Sequence, residues 1–180
     1  MASKRRILGI DPGSRKTGFG VLDFAGDDPT YVASGVVNSA EGTFPDRLRR
    51  IFTAVGEIVE EYRPDVVAIE SVFMHKNAGS ALKLGQARSA ALCATFGFEM
   101  EVHEYAPREI KQAIVGTGAA NKDQVQHMVK RLLGIKQKLQ ADEADGLAIA
   151  ICHAQFYASQ QKTGIAPGML KRRRGGGRRR

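Results

Sequence analysis

Short apolar stretches and longer segments with a helical repeat follow one another along this chain. The short stretches predict strands, because apolar runs of about four to eight residues between turn residues are typical of strands. The turn Asp11–Ser14 separates the first two, and Pro12 keeps the residue before it extended. The predicted strands are residues 6–10, 17–24, 30–38, 65–70 and 98–105. The first three follow one another closely, which predicts an antiparallel meander.

Between and after these strands, apolar residues recur every three or four positions, which predicts helices. Pro64 follows the end of the first helix, and Asn77 and Asn121 are suitable caps for the starts of two others. The predicted helices are residues 44–62, 77–96, 107–115, 121–133 and 142–158. This order of elements predicts an α/β fold with one mixed sheet flanked by helices.

The net charge of +8 is concentrated at the C-terminus. Residues 159–180 hold eight of the 27 Lys and Arg residues and no acid, so residues 1–158 carry 19 basic and 19 acidic residues. We therefore expect one folded domain over residues 1–158, followed by a basic tail over 159–180 that is disordered. Such a tail either contacts phosphate backbones or remains a solvated segment, and the sequence leaves both open.

The chain contains no apolar run long enough to span a membrane and no pattern typical of a secretory signal. We therefore expect a cytoplasmic protein. Cys93 and Cys152 lie in Ala-rich helical segments, and we expect reduced thiols that act as small hydrophobic residues.

Acidic residues stand at the ends of three otherwise apolar elements. Asp11 follows the apolar run 7–10, Glu70 follows the run 66–69, and Asp142 and Asp145 lie three residues apart where the last helix begins. Burying such acids without a compensating charge is unfavourable, so three elements that each deliver one suggest a shared cation. Carboxylates without His or Cys suit Mg²⁺ or Mn²⁺ and do not suit zinc.

Each of these acids also has an ordinary structural interpretation. Asp142 and Asp145 have the spacing of helix-capping acids, Glu70 could be an exposed acid at a strand exit, and Asp11 could be a turn aspartate. The combination favours a metal site, because all four acids lie at the ends of elements that belong to the same sheet-and-helix layer.

Four segments resemble the RuvC family of Holliday junction resolvases, over residues 5 to 158. They are ILGIDPG (7–13), AIESVF (68–73), ALKLGQAR (81–88) and ADEADGLA (141–148). The resemblance implies a ribonuclease H-like fold with a five-stranded mixed sheet, and a homodimer that resolves four-way DNA junctions in recombination and repair. It further implies two symmetric Mg²⁺-dependent nicks that leave 5′-phosphate and 3′-hydroxyl ends, and cooperation with the branch-migration proteins RuvA and RuvB.

The resemblance also implies roles for individual residues. Asp11, Glu70, Asp142 and Asp145 match the catalytic acids that bind two Mg²⁺ ions per site, with Mn²⁺ as a substitute. Phe73 matches an aromatic residue that stacks near the junction crossover, and Lys76 lies in the same loop. Lys111 and Lys122 match basic residues beside the scissile strand.

Other hypotheses remain at this point. The strings GIDPG (9–13) and TGFGV (17–21) also resemble the phosphate loop of the actin, hexokinase and sugar-kinase superfamily, although the chain lacks a second such loop. A non-catalytic DNA-binding module and a less selective structure-specific nuclease are further alternatives. The small residues of the helix 77–96 favour either tight packing in the monomer or a dimer interface. The four histidines have no assigned role, and the pattern favours a surface position for His153.

Overall fold

The sheet has five strands in the order β3-β2-β1-β4-β5. The computed structural model describes residues 4–26, 28–72 and 77–163. The strands are β1 Arg5–Asp11, β2 Lys16–Ala25, β3 Asp28–Asn38, β4 Val66–Glu70 and β5 Glu101–Tyr105. The helices are α1 Phe44–Tyr62, α2 Ala78–Cys93, α3 Pro107–Val115, α4 Lys122–Leu132 and α5 Ala141–Thr163. The first three strands pair antiparallel, whereas β1, β4 and β5 run parallel, so the predicted mixed sheet is confirmed.

Two element ends differ from the sequence prediction around β5. The helix α2 ends at Cys93, and residues 94–97 form a turn, with the Phe98 amide bonded to the Thr95 carbonyl at 3.1 Å. The alternating pattern at 98–105 therefore yields a strand only from Glu101 onward. Local turn hydrogen bonds take precedence there over the period-two pattern.

The last helix is longer than predicted, because α5 continues five residues past 158, to Thr163. It therefore crosses the predicted boundary between domain and tail, and residues 164–180 lie outside the described part of the chain. Of the cysteines, Cys152 is buried and Cys93 is exposed, and both are free. Across the described ranges, no helix combines the length and apolar character needed to cross a membrane.

Helices cover both faces of the sheet, and the alternation of side chains decides which acid faces which layer. Ile7 and Val66 belong to the apolar cluster formed with α3, α4 and α5, whereas the next residue on each strand packs towards α1 and α2. Successive side chains of a strand point to opposite faces. Asp11 and Glu70, each four residues further along, therefore face α5.

Glycines let α5 approach the sheet closely at this point. A methyl group on Gly146 of α5 would lie 2.6 Å from the backbone of Phe19 on β2, and one on Gly20 would lie 2.6 Å from the Leu147 nitrogen. A methyl group on Gly9 of β1 would overlap the Gly146 carbonyl. Because no side chain separates these backbones, the start of α5 lies directly against β1 and β2.

The predicted surface position of His153 is wrong. This side chain on α5 is 3% exposed, and its Nδ1 lies 2.7 Å from the hydroxyl of Tyr105 on β5. The ring of His103 packs against it with the centroids 4.6 Å apart. Burial lowers the pKa of His153 to about 4, and the neighbouring His103 adds to this effect. His153 is therefore a neutral core residue at physiological pH.

The lowered pKa of His153 predicts that the protein loses stability on acidification. Its pKa is about 4 in the folded protein and about 6.5 in the unfolded chain. Between these values the unfolded chain binds a proton that the folded protein does not. The contribution of neutral, buried His153 to the free energy of unfolding is therefore complete above about pH 6.5, and it decreases as the pH falls towards about 4. Urea unfolding of the wild type and of His153→Asn, which retains an acceptor but does not titrate, should show their difference in free energy narrowing in this window. A constant difference would contradict the assignment.

Candidate active site

Two of the acids end neighbouring strands of the sheet. Asp11 is the last residue of β1 and Glu70 is the last residue of β4. These strands are parallel, and Ile10 pairs with Ile69, so the two acids that follow them lie side by side at one edge. Both point towards α5, as the alternation requires. The fold therefore brings together two acids that are 59 positions apart in sequence.

The other two acids lie in the first turns of α5, where a third acid performs the capping. The Gln140 carbonyl accepts the first helical hydrogen bond, from the Ala144 amide at 3.1 Å. The Glu143 carboxylate accepts a hydrogen bond from the Gln140 amide at 2.7 Å, which is the reciprocal part of a capping box. The alternative interpretation of Asp142 and Asp145 as the capping pair is therefore wrong, because Glu143 takes that role.

Asp11, Glu70 and Asp145 line one cavity of about 260 Å³ together with Lys111 and Lys122. Pro107 and Ile110 of α3, Val125 of α4, and Ala148 and Ile149 of α5 form its apolar walls. Asp142 is half-buried near this cavity but does not line it. Five polar residues from β1, β4, α3, α4 and α5 thus converge on a single pocket.

The carboxylates destabilise one another's charged form. Burial raises the pKa of Asp11 to about 7, and repulsion from Glu70, Asp145 and Asp142 adds to the rise. Burial also raises the pKa of Glu70, with repulsion from Asp145 as the next cause. The two lysines oppose this effect, and so does the hydrogen bond between the Asp11 and Glu70 side chains, which lowers the pKa of Glu70. Such a cluster of negative charge is a strong binding environment for cations.

Lys122 partly neutralises the cluster. Its Nζ lies 3.2 Å from Oδ2 of Asp145, and this charge raises the pKa of the lysine. The Lys122 side chain is 77% exposed, so it reaches the cavity from the solvent side. An ammonium at this point could contact either Asp145 or an incoming phosphate.

The donor chemistry of the cluster fits Mg²⁺ or Mn²⁺, because these ions prefer carboxylate oxygens and retain water ligands. In the arrangement seen, no three Asp, Glu, His or Cys side chains within residues 4–26, 28–72 and 77–163 are placed to hold one ion. A common ion would therefore require some rearrangement of these side chains.

Six of the eight site residues predicted from sequence can be located. The cavity gathers Asp11, Glu70, Asp145, Lys111 and Lys122, and Asp142 lies beside it. Phe73 and Lys76 fall outside the described residues.

Sequence reasoning missed two sets of supporting residues. One is the glycines that seat α5, of which Gly18 and Gly20 lie two apart on β2 and therefore on one face, a spacing that could have been recognised. The other is Arg88, whose Nε donates to the Glu70 carbonyl at 3.1 Å. No local pattern around Arg88 indicates that contact.

Comparison of the fold with solved structures defines the class of protein. The yeast mitochondrial Holliday junction resolvase Ydc2 matches with a TM-score of 0.60 over 88% of this chain and 86% of that one, at 14% identity. Thermus thermophilus RuvC in complex with a Holliday junction substrate matches with a TM-score of 0.79 over 86% of this chain and 96% of that one, at 34% identity. The predicted α/β, ribonuclease H-like fold is thus confirmed.

The sequence comparisons give the family. The family model for Crossover junction endodeoxyribonuclease RuvC matches residues 7–153. The RuvC of Methylococcus capsulatus is 57% identical over 148 residues, which cover 82% of this chain and 89% of that protein. The RuvC of Vibrio campbellii is 55% identical over 82% of this chain and 86% of that protein. This chain belongs to the RuvC family of crossover junction endodeoxyribonucleases, which removes the sugar-kinase alternative.

Proposed function

We propose that this protein resolves four-way DNA junctions by metal-dependent hydrolysis at the pocket of Asp11, Glu70 and Asp145, with Asp142 beside it. The convergence of acids from three separate elements on one lysine-flanked cavity carries this proposal. The similarity to a RuvC bound to a Holliday junction substrate supports junction DNA as the substrate. The cuts leave 5′-phosphate and 3′-hydroxyl ends, and the activity serves recombination and DNA repair.

The four acids are the proposed ligands of two Mg²⁺ ions, with Mn²⁺ as a substitute. Divalent ions bound there would supply positive charge to the attacking and leaving oxygens of the phosphodiester. Asp11 and Glu70 hold their carboxylates at the sheet edge, where burial and mutual repulsion favour cation binding over solvation. The apolar walls from α3, α4 and α5 limit the water around the reacting phosphate.

The two lysines of the cavity are proposed to position the scissile phosphate. Lys111 and Lys122 stand on different helices, α3 and α4, so they approach the acids from separate directions. A phosphate in the cavity would compete with Asp145 for the Lys122 ammonium. Phe73 is proposed to stack on a base near the crossover, and Lys76 to contact the same DNA.

Paired nicks require two active sites, and we propose a homodimer formed through the outer face of α2. This helix buries only Ala87 and Ala91, and Leu82 on it is 69% exposed. Phe96, in the turn after α2, is 66% exposed. Large apolar side chains with this exposure are typical of surfaces that associate. RuvA and RuvB are the proposed partners in branch migration, and the cytoplasm is the proposed location.

Leu82→Arg should convert the dimer to a monomer. Placing a charge in an apolar interface leaves it desolvated and unpaired, and we expect the dimer dissociation constant to rise at least about tenfold. Analytical ultracentrifugation over a concentration series measures this directly. Leu132→Arg on α4, which also replaces an exposed leucine, should leave the dimer intact. Equal effects of the two variants would contradict the proposed interface.

Cleavage of a mobile four-way junction, with and without Mg²⁺, tests the function as a whole. We expect two symmetric nicks that appear only with a divalent ion, and ends that a ligase can seal. Fork and linear duplex substrates measure selectivity, and equal cleavage of all three would indicate a less selective nuclease. Binding without cleavage at any Mg²⁺ or Mn²⁺ concentration would indicate a non-catalytic DNA-binding module.

A further inference from the structure

A side chain on α2 holds the backbone of Glu70 from the face opposite the cavity. Arg88 Nε donates a hydrogen bond to the Glu70 carbonyl oxygen at 3.1 Å. The Nη2 atom of the same guanidinium lies 2.8 Å from Oε2 of Glu104 on β5. The Arg88 side chain is only 16% exposed. One guanidinium therefore joins α2 to the ends of two adjacent strands.

Glu70 needs such an anchor because the sheet holds it on one side only. The ladder between β1 and β4 ends at the pair Ile10 and Ile69, one residue before Glu70. On the other side Glu70 pairs with Tyr105 of β5, which is itself an edge strand. The bond from Arg88 thus fixes a carbonyl at the point where the strand ladder stops.

The sheet separates Arg88 from the reacting groups. Tyr105 packs in the cluster on the α5 side, so the preceding residue, Glu104, faces α2 by alternation. Arg88 reaches Glu104 on that face, whereas the Glu70 carboxylate lies in the cavity on the other. Arg88 therefore acts on the cavity through the Glu70 backbone and not by contact with DNA or metal.

We propose that Arg88 is a positioning residue for junction cleavage, which fixes the direction in which Glu70 presents its carboxylate to Asp11 and Asp145. This inference rests on the proposed role of Glu70 in metal binding. Without the anchor, the backbone dihedrals at the end of β4 gain freedom, and a small rotation there displaces the carboxylate at the far end of the side chain. The same contact connects the active site to α2, the helix proposed to meet the second subunit.

Three variants of the full-length protein separate the contacts of Arg88. Arg88→Met removes both contacts while it retains an unbranched apolar stem. Glu104→Gln removes the ion pair and leaves the bond to the Glu70 carbonyl. Arg88→Lys keeps the charge but lacks the Nε donor that bonds the Glu70 carbonyl, and its ammonium cannot bridge both acceptors as a planar guanidinium does. Arg131→Met on α4 is a matched control, because Arg131 is exposed and belongs to a helix end away from the cavity.

The readouts are single-turnover cleavage at saturating junction, junction affinity in Ca²⁺, and Mn²⁺ affinity of the free protein by electron paramagnetic resonance. For Arg88→Met we expect cleavage to fall about 30-fold, within the range that a misplaced catalytic group produces, while junction affinity changes by less than about twofold. Mn²⁺ affinity should fall about fivefold for the same reason. Arg88→Lys should lie between this variant and the wild type, and Glu104→Gln and Arg131→Met should resemble the wild type.

Wild-type Mn²⁺ affinity in folded Arg88→Met would overturn the proposal, and so would a loss of junction affinity as large as the loss of cleavage. If Arg88→Met does not fold, Arg88→Lys decides: reduced cleavage and Mn²⁺ affinity support the proposal, and wild-type values overturn it. A wild-type protein that never cuts the junction would refute the proposed function. The Mn²⁺ affinities of the wild type and of Arg88→Met would still test whether Arg88 positions Glu70.

Discussion

Asp11→Asn should abolish junction cleavage and at the same time stabilise the protein in the absence of divalent ions. The carboxylate is the proposed ligand at the centre of the acid cluster, so we expect the rate to fall by roughly 10²–10³-fold or more. Burial and three neighbouring acids raise the pKa of Asp11 to about 7, which means that its ionised form is unfavourable in the fold. A neutral amide of similar shape removes that repulsion, as expected where function is maintained at a cost in stability.

The sign of the pH dependence follows from the same raised pKa. Its folded value of about 7 exceeds the unfolded value of about 3.9, so the destabilisation by Asp11 is complete above about 7 and disappears as the pH falls towards about 4. Thermal unfolding should therefore show a higher Tm for Asp11→Asn near neutral pH, and a smaller difference in acid.

Glu70→Gln should reduce the cleavage rate as Asp11→Asn does. The control is Glu57→Gln, on the exposed side of α1, which should change neither the cleavage rate nor the Tm. Junction binding should remain largely intact in all three variants. Full cleavage by Asp11→Asn or Glu70→Gln would count decisively against the proposed site, and a lowered Tm of Asp11→Asn would contradict the electrostatic account.

Gly146→Ala should displace α5 and impair the active site from a position that carries no chemistry. The added methyl group would meet the Phe19 backbone at 2.6 Å, and backbone cannot move aside as a flexible side chain can. Overpacking of this kind destabilises by about 1–3 kcal/mol, although the better helix propensity of Ala returns roughly 1 kcal/mol. Asp145 precedes Gly146 directly, so the displacement moves a proposed metal ligand, and we expect a cleavage loss on the order of 10²-fold.

Gly56→Ala on α1 is the matched control for this substitution. It makes the same change in the interior of a helix, but a methyl group at Gly56 meets nothing within 4 Å. We expect it to raise the free energy of unfolding and to leave cleavage unchanged. Urea unfolding and single-turnover cleavage of both variants test the idea. A Gly146→Ala protein that is as stable and active as Gly56→Ala would show that close approach of α5 is unnecessary.

Local patterns were sufficient for several elements. The bounds of α1 and α3 agree with the predicted 44–62 and 107–115, because each helix begins with a proline in its first turn and has an acid three residues after the cap. The apolar runs that precede Asp11 and Glu70 likewise predict that these acids lie at the ends of two strands, as they do in β1 and β4. These features depend on residues a few positions apart, which a single sequence displays.

The prediction for His153 failed because a residue distant in sequence determines its position. His153 is buried because Tyr105, 48 positions earlier in the chain, offers a hydrogen bond and an apolar surface on the neighbouring strand. The helix pattern around His153 contains no sign of that partner. The capping role of Glu143 is a local contact, but Asp142, Glu143 and Asp145 all suit a helix start, so the sequence offers Asp142 and Asp145 as an equally suitable capping pair.

The amino-acid sequence by itself determined the order of strands and helices, the carboxylate chemistry of the site and the resemblance to a family. These follow from residue type and spacing, which are properties of the chain before it folds. Only the tertiary structure decided that Asp145 and the two lysines share a cavity with Asp11 and Glu70, that glycines seat α5 against the sheet, and that Arg88 anchors Glu70 from behind. Each of these is a contact between residues far apart along the chain, and it is set by packing across the sheet.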